Sequence, residues 1–378
     1  MIDFRPSPSQ QILIATAREY LRHHCPIELA QQLALDASGE TAGKADKLWR
    51  GMAELGWPGL LIPSELGGSD GTLLDVALLV EEMGYAALPG PYIPSAVVAT
   101  MLLLASAGDA QRTRLLAAIA MGDRVATPAV VEEPGTFDLD AITLASKRAR
   151  LTGRKLFVKD AHIAHDFLVV VHKGAELSVL VVPTDRRGVA RTPLDTISGE
   201  KLFSVTFDDV QVRADDWLTT GRTAIAAALD AGALARTAEM VGGAQRILEL
   251  TVEHAKTRVQ GGRPIGAHQA IQHSCADLVR DVDCARGLLH VAAWKLTAMG
   301  GQGSDGRGTS ADVAMAKAYA GEACLAVARR GHQIFGAISY CEEHPMHLFH
   351  KRIQAASVDF GDAALHLESV ARAIGLAS

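Results

Sequence analysis

The residues that could do chemistry gather in the last third of the chain. His344, His347 and His350 recur every three residues around Pro345. Residues three apart share a helix face, which is a spacing that metal ligands use. No fourth ligand accompanies them and His344 precedes the proline at a helix start, so they read as surface or interface histidines, and no metal is expected. Cys341 stands beside Glu342 and Glu343; acids raise a thiol's pKa, so this cysteine reads as structural. Glu81 and Glu82 are a poor pair of acid catalysts, because adjacent helix positions do not face one another. The segment 300–308, GGQGSDGRG, lacks the Lys-Ser/Thr ending of a phosphate-binding loop. No GxGxxG follows a strand, so neither a dinucleotide fingerprint nor a P-loop is present.

Three textures position these residues. From Ser9 to about Gly122 apolar residues recur at helical steps, as in Leu74, Val76, Leu79, Val80 and Met83. Gly56 to Gly59, Pro63 to Gly71 and Leu88 to Pro91 interrupt them, and Pro94 reads as another helix start. From Val125 to Val212 the pattern is β: runs at Phe167–Val171 and Leu177–Val182 flank a turn at 172–175 and predict a hairpin. Arg150–Val158 and Leu202–Phe207 read as further strands, and 185–188 as a turn. The middle third is therefore a small antiparallel β domain of roughly 90 residues. Helical spacing returns at Ala224–Lys256, about 267–299, and about 310–331, with the glycine-rich segment as a loop. The expected fold class is α+β, mainly α: a helical domain over 1–123, a β domain over 124–222 and a C-terminal helical bundle over 223–378.

Composition excludes several classes. The chain has 378 residues and a formal charge of −6, which argues against a nucleic-acid partner, since phosphate binding needs clustered positive charge. An apolar share of 48% with 21% charged residues excludes intrinsic disorder. Aromatics make up only 5%, so Ala, Leu and Val carry the hydrophobicity and helices should dominate. Five cysteines without CxxC spacing fit a reducing cytoplasm. No basic n-region with an apolar core opens the sequence, so no secretory segment is expected, and the longest apolar run, Ala96–Ala107, broken by Thr100 and Ser106, falls short of the ~20 residues a bilayer needs.

The order of the segments, and the words within them, resemble the acyl-CoA dehydrogenase family over nearly the whole chain. Leu55-Gly56-Trp57, Pro63 and Gly67-Gly68 resemble its LGW…P…GG signature, and Val80-Glu81-Glu82-Met83-Gly84 its EE(M/L)G helix end. His254 to Ile265 followed by Gln269–His273 resembles YAxxRxQFGxPI…FQAVQH. Gln333 to Tyr340 is similar to QIxGGxG(Y/F), and Glu343-His344-Pro345 continues it. The resemblance implies flavin adenine dinucleotide (FAD) and α,β-dehydrogenation of an acyl-CoA thioester, with electrons passed to an electron-transfer flavoprotein. It implies that Arg258 and Gln260 reach the cofactor of a neighbouring subunit. An arginine suits a diphosphate because its planar fork donates paired charge-assisted hydrogen bonds. Gln333 and Gly336 are implied at the pyrophosphate, where glycine lets the backbone come close.

The same resemblance places the base, a glutamate, either in a YEG(T/S) segment near the C-terminus or on the helix ahead of the RxQF motif. The first position falls on Phe360 within Asp359-Phe360-Gly361, and the second near Gly232. Asp359, one residue from the aligned place, is the candidate base, against the alternative of a solvated acid at a helix end; Asp362 and Glu239 are further acids nearby. Other flavin-lining words are also changed. Gly261 replaces the RxQFG phenylalanine, Val131 to Thr136 stands for the TEPxAGSD loop, and Phe157-Val158-Lys159-Asp160 stands for the WITN strand. Motifs that hold a neighbour's cofactor survive while those of a subunit's own pocket do not. The expectation is therefore an acyl-CoA dehydrogenase acting alone or as one subunit of a hetero-oligomer, such as those for bulky steroid substrates, in a homo- or hetero-tetramer. The alternatives are a non-catalytic, cofactor-completing subunit and a monooxygenase-like flavin enzyme of the same fold.

Overall fold

A computed structural model describes residues 5–36, 41–106, 110–298 and 311–376. The N-terminal part is helical: α1 (Pro8–His24), α2 (Ile27–Leu35), α3 (Ala42–Glu54) and α4 (Leu73–Tyr85). A π-helical turn over Tyr92–Ala99 continues into α5 (Thr100–Leu104), and α6 (Ala110–Ala120) closes the set. Helix starts follow local chemistry. Ser7 and Gln10 form a capping box on α1, as do Thr72 and Asp75 on α4. The helix expected to begin at Pro94 begins at Tyr92 instead.

The middle part holds β1 (Ala126–Ala129), β2 (Arg150–Lys159), β3 (Asp166–Lys173), β4 (Glu176–Pro183), β5 (Val189–Leu194), β6 (Leu202–Gln211) and β7 (Trp217–Leu218). They form two sheets, ordered β1-β3-β4-β7 and β2-β6-β5. The hairpin is β3–β4, in register from Asp166 opposite Pro183 to Lys173 opposite Glu176, so its turn is only Gly174-Ala175. Phe167–Val171 and Val179–Val182 are buried on both faces, hence their unbroken apolar runs. The antiparallel expectation holds for every pair in these sheets but one: β1 runs parallel to β3. The chain leaves β1 for the other sheet at β2 before it returns as β3, so the two strands point the same way. β5 gave no sequence signal because it is an exposed edge strand containing Pro193, which only an edge tolerates.

The C-terminal part is built on α7 (Arg222–Thr257), a hairpin of β8 (Val259–Gln260) and β9 (Arg263–Pro264), then α8 (Gln269–Ala298) and α9 (Ala311–Phe335). α10 (Met346–Val358) and α11 (Ala363–Ala373) finish it. The segment 300–308 lies outside the described residues. α7 is the central element, packed by α4, α8, α9 and α10, and almost every residue from Ile225 to Ala244 is buried. Glycine sets the crossing of α4 over α7. A Cβ on Gly84 would lie 2.2 Å from the Glu239 carbonyl oxygen, and one on Gly242 1.9 Å from that of Glu81. The glycine of the Glu-Glu-Met-Gly word is thus a backbone contact that fixes α7 against the N-terminal helices.

Candidate functional site

The candidate residues gather at two places along α7. The inner one surrounds Gly232, Arg236 and Glu239. Here the connection between α10 and α11 brings Asp359 and Phe360, the end of β2 brings Lys159, and the β5–β6 connection brings Glu200. The Arg236 guanidinium donates through Nε to Asp359 Oδ2 at 2.6 Å, through Nη1 to Glu239, and through Nη2 to Glu200. Lys159 Nζ lies 3.1 Å from Asp359 Oδ2 and 3.5 Å from Glu200 Oε1, and Arg352 donates to Glu239. Every member is largely buried. Burial alone would raise Glu200, yet Arg236, Lys159 and Arg352 outweigh it and hold this carboxyl well below the usual range. Burial pushes Asp160, beside them, up to about 6 in spite of Lys159.

Asp359 is therefore not a solvated acid. Its side chain is 9% exposed and ion-paired to two cations. The loop that carries it is fastened from behind. Lys317 Nζ, itself buried, donates to the carbonyl oxygens of Ser357 and Gly361 at 2.8 Å each. Burial pushes Lys317 down to about 8, against the pull of Asp359. His366 Nε2 lies 3.0 Å from the Phe360 carbonyl oxygen and so donates to it.

The two positions where a base was sought meet in space. The Phe360 ring lies over Gly232 so closely that a Cβ there would be 2.6 Å from Phe360 Cε1. Phe360 also packs on Phe137 at 5.2 Å between ring centroids. Phe360 adopts φ +56°, a left-handed conformation unusual for a bulky residue. In the β1–β2 connection that also carries Phe137, Glu132 turns into the β domain. It accepts from Lys155 Nζ (2.7 Å) and from the Thr143 amide and hydroxyl (2.9 and 2.7 Å). Burial pushes Lys155 down to about 8. Phe157 keeps an aromatic ring, 45% exposed, where the strand's tryptophan was lacking.

The outer place is the C-terminal end of α7. Arg258 caps the helix, and with Gln260 it leads into the β8–β9 hairpin, both exposed. Gln333 and Gly336 lie at the end of α9, also exposed. A stack of His254 on Phe335, 4.4 Å between centroids, joins the two helix ends. Among the described residues the side chains of Arg258, Gln260 and Gln333 have no hydrogen-bond or ion-pair partner. Gly261, Gly262 and Gly336 have positive φ and open space where a Cβ would stand. A largely apolar cavity of about 360 Å³, lined by Val252, Ala255, Pro264 and Ile271 among others, opens beside the hairpin. A dinucleotide would fit such a place by its side chains rather than by a helix end: unengaged donors for phosphate, bare backbone for close approach and an apolar recess for a ring. At 1.5 Å per residue, Arg236 and Arg258 stand about 33 Å apart along α7.

Asp359 is thus brought to one place and Arg258, Gln260, Gln333 and Gly336 to the other. Sequence reasoning missed Arg236, Lys159, Glu200 and Arg352; a buried arginine within an alanine-rich helix was the available signal. It also missed His332, buried against His350 at 5.0 Å. Glu81 and Glu82 do diverge, toward Arg286 and His290 and toward Arg18 respectively. Among the described residues no group of three or more His, Cys, Asp or Glu is placed to hold a metal, and no helix is long and apolar enough to cross a membrane.

Comparison with known proteins defines the class. The acyl-CoA dehydrogenase N-terminal domain matches residues 7–123 and the C-terminal domain of the same family matches residues 219–375. The chain belongs to the acyl-CoA dehydrogenase family, whose members are FAD flavoproteins. It is 30% identical over 355 residues to acyl-CoA dehydrogenase IpdE2 of Mycobacterium tuberculosis, covering 93% of each chain. Its fold matches a chain of the ChsE4-ChsE5 complex from Mycobacterium tuberculosis with a TM-score of 0.89 at 25% identity, covering 100% of both. A variant of the Tcur3481-Tcur3483 steroid ACAD matches with a TM-score of 0.85 at 26% identity, covering 97% of both. FAD-dependent dehydrogenation of an acyl-CoA, alone or as one subunit of a heteromer, is the function of this chain.

Proposed function

We propose that this chain is the subunit of a heteromeric acyl-CoA dehydrogenase that completes a partner's cofactor site and leaves the base to the partner. The carrying observation is the contact of Phe360 with Gly232, which fills with a phenyl ring the place both candidate base positions address. The ion network of Arg236, Glu200, Glu239, Asp359 and Lys159 then ties β domain, α7 and the α10–α11 loop together at that place. At the outer place Arg258 and Gln260 would hold the phosphates and adenosine of the partner's FAD, and Gln333 and Gly336 would lie at its pyrophosphate. When bound, the flavin accepts the β-hydride of the substrate. This chain's residues only bind and orient it. A bulky, steroid-type acyl-CoA is the substrate class, supported by the Tcur3481-Tcur3483 steroid ACAD among the similar structures, and the ChsE4-ChsE5 complex supports pairing with a second chain. Electrons leave to an electron-transfer flavoprotein in the cytoplasm, where five free cysteines are at home.

The test is purification of the chain alone and with an acyl-CoA dehydrogenase encoded beside it. Flavin absorbance and its bleaching by acyl-CoA are expected only from the co-purified pair. Yellow protein bleached by substrate from this chain alone would overturn the proposal. Asp359, the acid nearest the aligned position, would then be the base of a self-sufficient enzyme. Asp359→Asn would abolish bleaching in that case and leave it unchanged in the heteromer.

A further inference from the structure

We propose that the histidines at the end of α9 form an acid-sensitive clasp: as neutral rings they hold the segment 336–345 against α9 and α10, and their protonation releases it. The hydrogen bonds fix the tautomers of His332, His347 and His344. Ser339 Oγ donates its one proton to the Gly336 carbonyl oxygen at 2.8 Å, so it accepts from His332 Nδ1, also at 2.8 Å. His332 Nε2 is then a bare lone pair, buried and without a partner. His347 Nε2 faces the Glu342 carbonyl oxygen at 3.0 Å and must donate, which leaves Nδ1 bare, buried and unpartnered. His344 Nδ1 accepts from the Met346 amide at 3.3 Å, so it too is unprotonated. A second proton on any of these rings meets no acceptor or breaks an existing bond.

The charges around the rings make protonation worse. His332 is 2% exposed, stacked on Tyr340 at 4.4 Å and beside His350 at 5.0 Å, and it faces His344 and His347. Arg329 faces His350, and Arg258 faces His254, whose ring shares Phe335 with that of His344. The carboxylates of the segment, Glu342 and Glu343, are exposed. Among the described residues no carboxylate pairs with these rings. Burial first, and then His350, His344 and His347, push His332 down to about 4. Its unfolded value is near 6.5, so the folded form excludes this proton. The stability this ring contributes is present above about pH 6.5 and is lost as pH falls toward 4.

Amide hydrogen exchange of residues 339–344, corrected for intrinsic rates, tests the clasp on the chain itself. One excluded proton raises the opening equilibrium about tenfold between pH 7.5 and 5.5. His332→Gln should abolish most of that rise, and His350→Gln part of it should the first variant not fold. Protection that does not change with pH, or the same rise in both variants, would overturn the clasp. The consequence for the cofactor rests on the proposed function, because Gly336 begins the segment and Gln333 lies just before it on α9. Flavin lost from the co-purified pair in step with opening supports both. Flavin retained while the segment opens leaves the clasp standing and overturns the assignment of Gln333 and Gly336 to the cofactor.

Discussion

Replacing Arg236 by methionine removes the one guanidinium that touches Asp359, Glu239 and Glu200 at once. Methionine matches much of the arginine's stem, so the variant isolates the loss of charge from the loss of packing. The arginine is buried, and so are Asp359 and Glu239. Lys159 still faces Asp359 and Glu200, and Arg352 still faces Glu239, so no carboxylate is wholly orphaned. Breaking a buried ion pair from one side costs about 3–5 kcal/mol. For a chain of this length that is a fall in Tm of about 4–6 °C. The pH dependence is the sharper readout. Glu200 is held well below its unfolded value chiefly by Arg236 against the opposing effect of burial. The stability this gives is present above about pH 4.5 and is lost as pH falls through the folded value. The gap between wild type and Arg236→Met should therefore close in acid. Urea unfolding at pH 7 and at steps from about pH 4.5 down to about pH 2.5, where the carboxyl takes up its proton, measures both quantities. A gap below about 1 kcal/mol at neutral pH, or one equally wide in acid, would refute the network as the tie between β domain and bundle.

Arg258→Ala should leave the stability of the chain within about 0.5 kcal/mol, because the residue is exposed, while flavin affinity of the co-purified pair falls about 10- to 150-fold for a lost charge-assisted hydrogen bond. Flavin titration of the apo-pair measures it, and unchanged affinity would remove Arg258 from the cofactor site. Gly242→Ala pushes a methyl group into the Glu81 carbonyl and should destabilise the chain by at least about 1–3 kcal/mol, read by urea midpoint. Gly232→Ala and Phe360→Ala should each destabilise, but the double variant should cost about 1–2 kcal/mol less than their sum, since the new methyl needs the space the ring leaves. Strict additivity in that cycle would show that the two side chains do not share the volume.

The fold was legible because its signals are local and repeated. Ala224–Lys256 differs from the observed α7, Arg222–Thr257, by only a residue or two at each end, and the β3–β4 hairpin lies where two β-branched runs flank Gly174. β5 was not legible, since an exposed strand with Pro193 carries neither alternation nor an apolar run. The outer candidate site rests on the Arg-x-Gln and Gln-Ile-x-Gly words, which the structure places on helix ends and which need no distant partner to be recognised. The inner site was not legible. Arg236, Glu200, Lys159 and Asp359 come from four segments far apart in sequence, and each alone looks like an ordinary charged residue. Only folding shows that they cancel one another's charge in a place where unpaired ions are not tolerated.

The contact of Gly232 with Phe360 bears on the family's chemistry as well as on this chain. A base drawn from either of two positions, more than a hundred residues apart, suits one reaction only if both positions address one volume. They do: the ring from the α10–α11 loop occupies the space directly above the backbone of α7. A chain with a carboxylate at one position therefore needs a small residue at the other. This chain keeps the small residue and puts a phenyl ring where the carboxylate would be. The outer end of the same helix, about 33 Å away, keeps Arg258 and Gln260 exposed and, among the described residues, without side-chain partners. Loss of a base alone would be compatible with a pocket that still admits substrate. Here the ring, the ion network and the Lys317 clamp on the loop carbonyls all close the same place. A closed inner site and an open outer one are what a subunit serving a neighbour's chemistry requires.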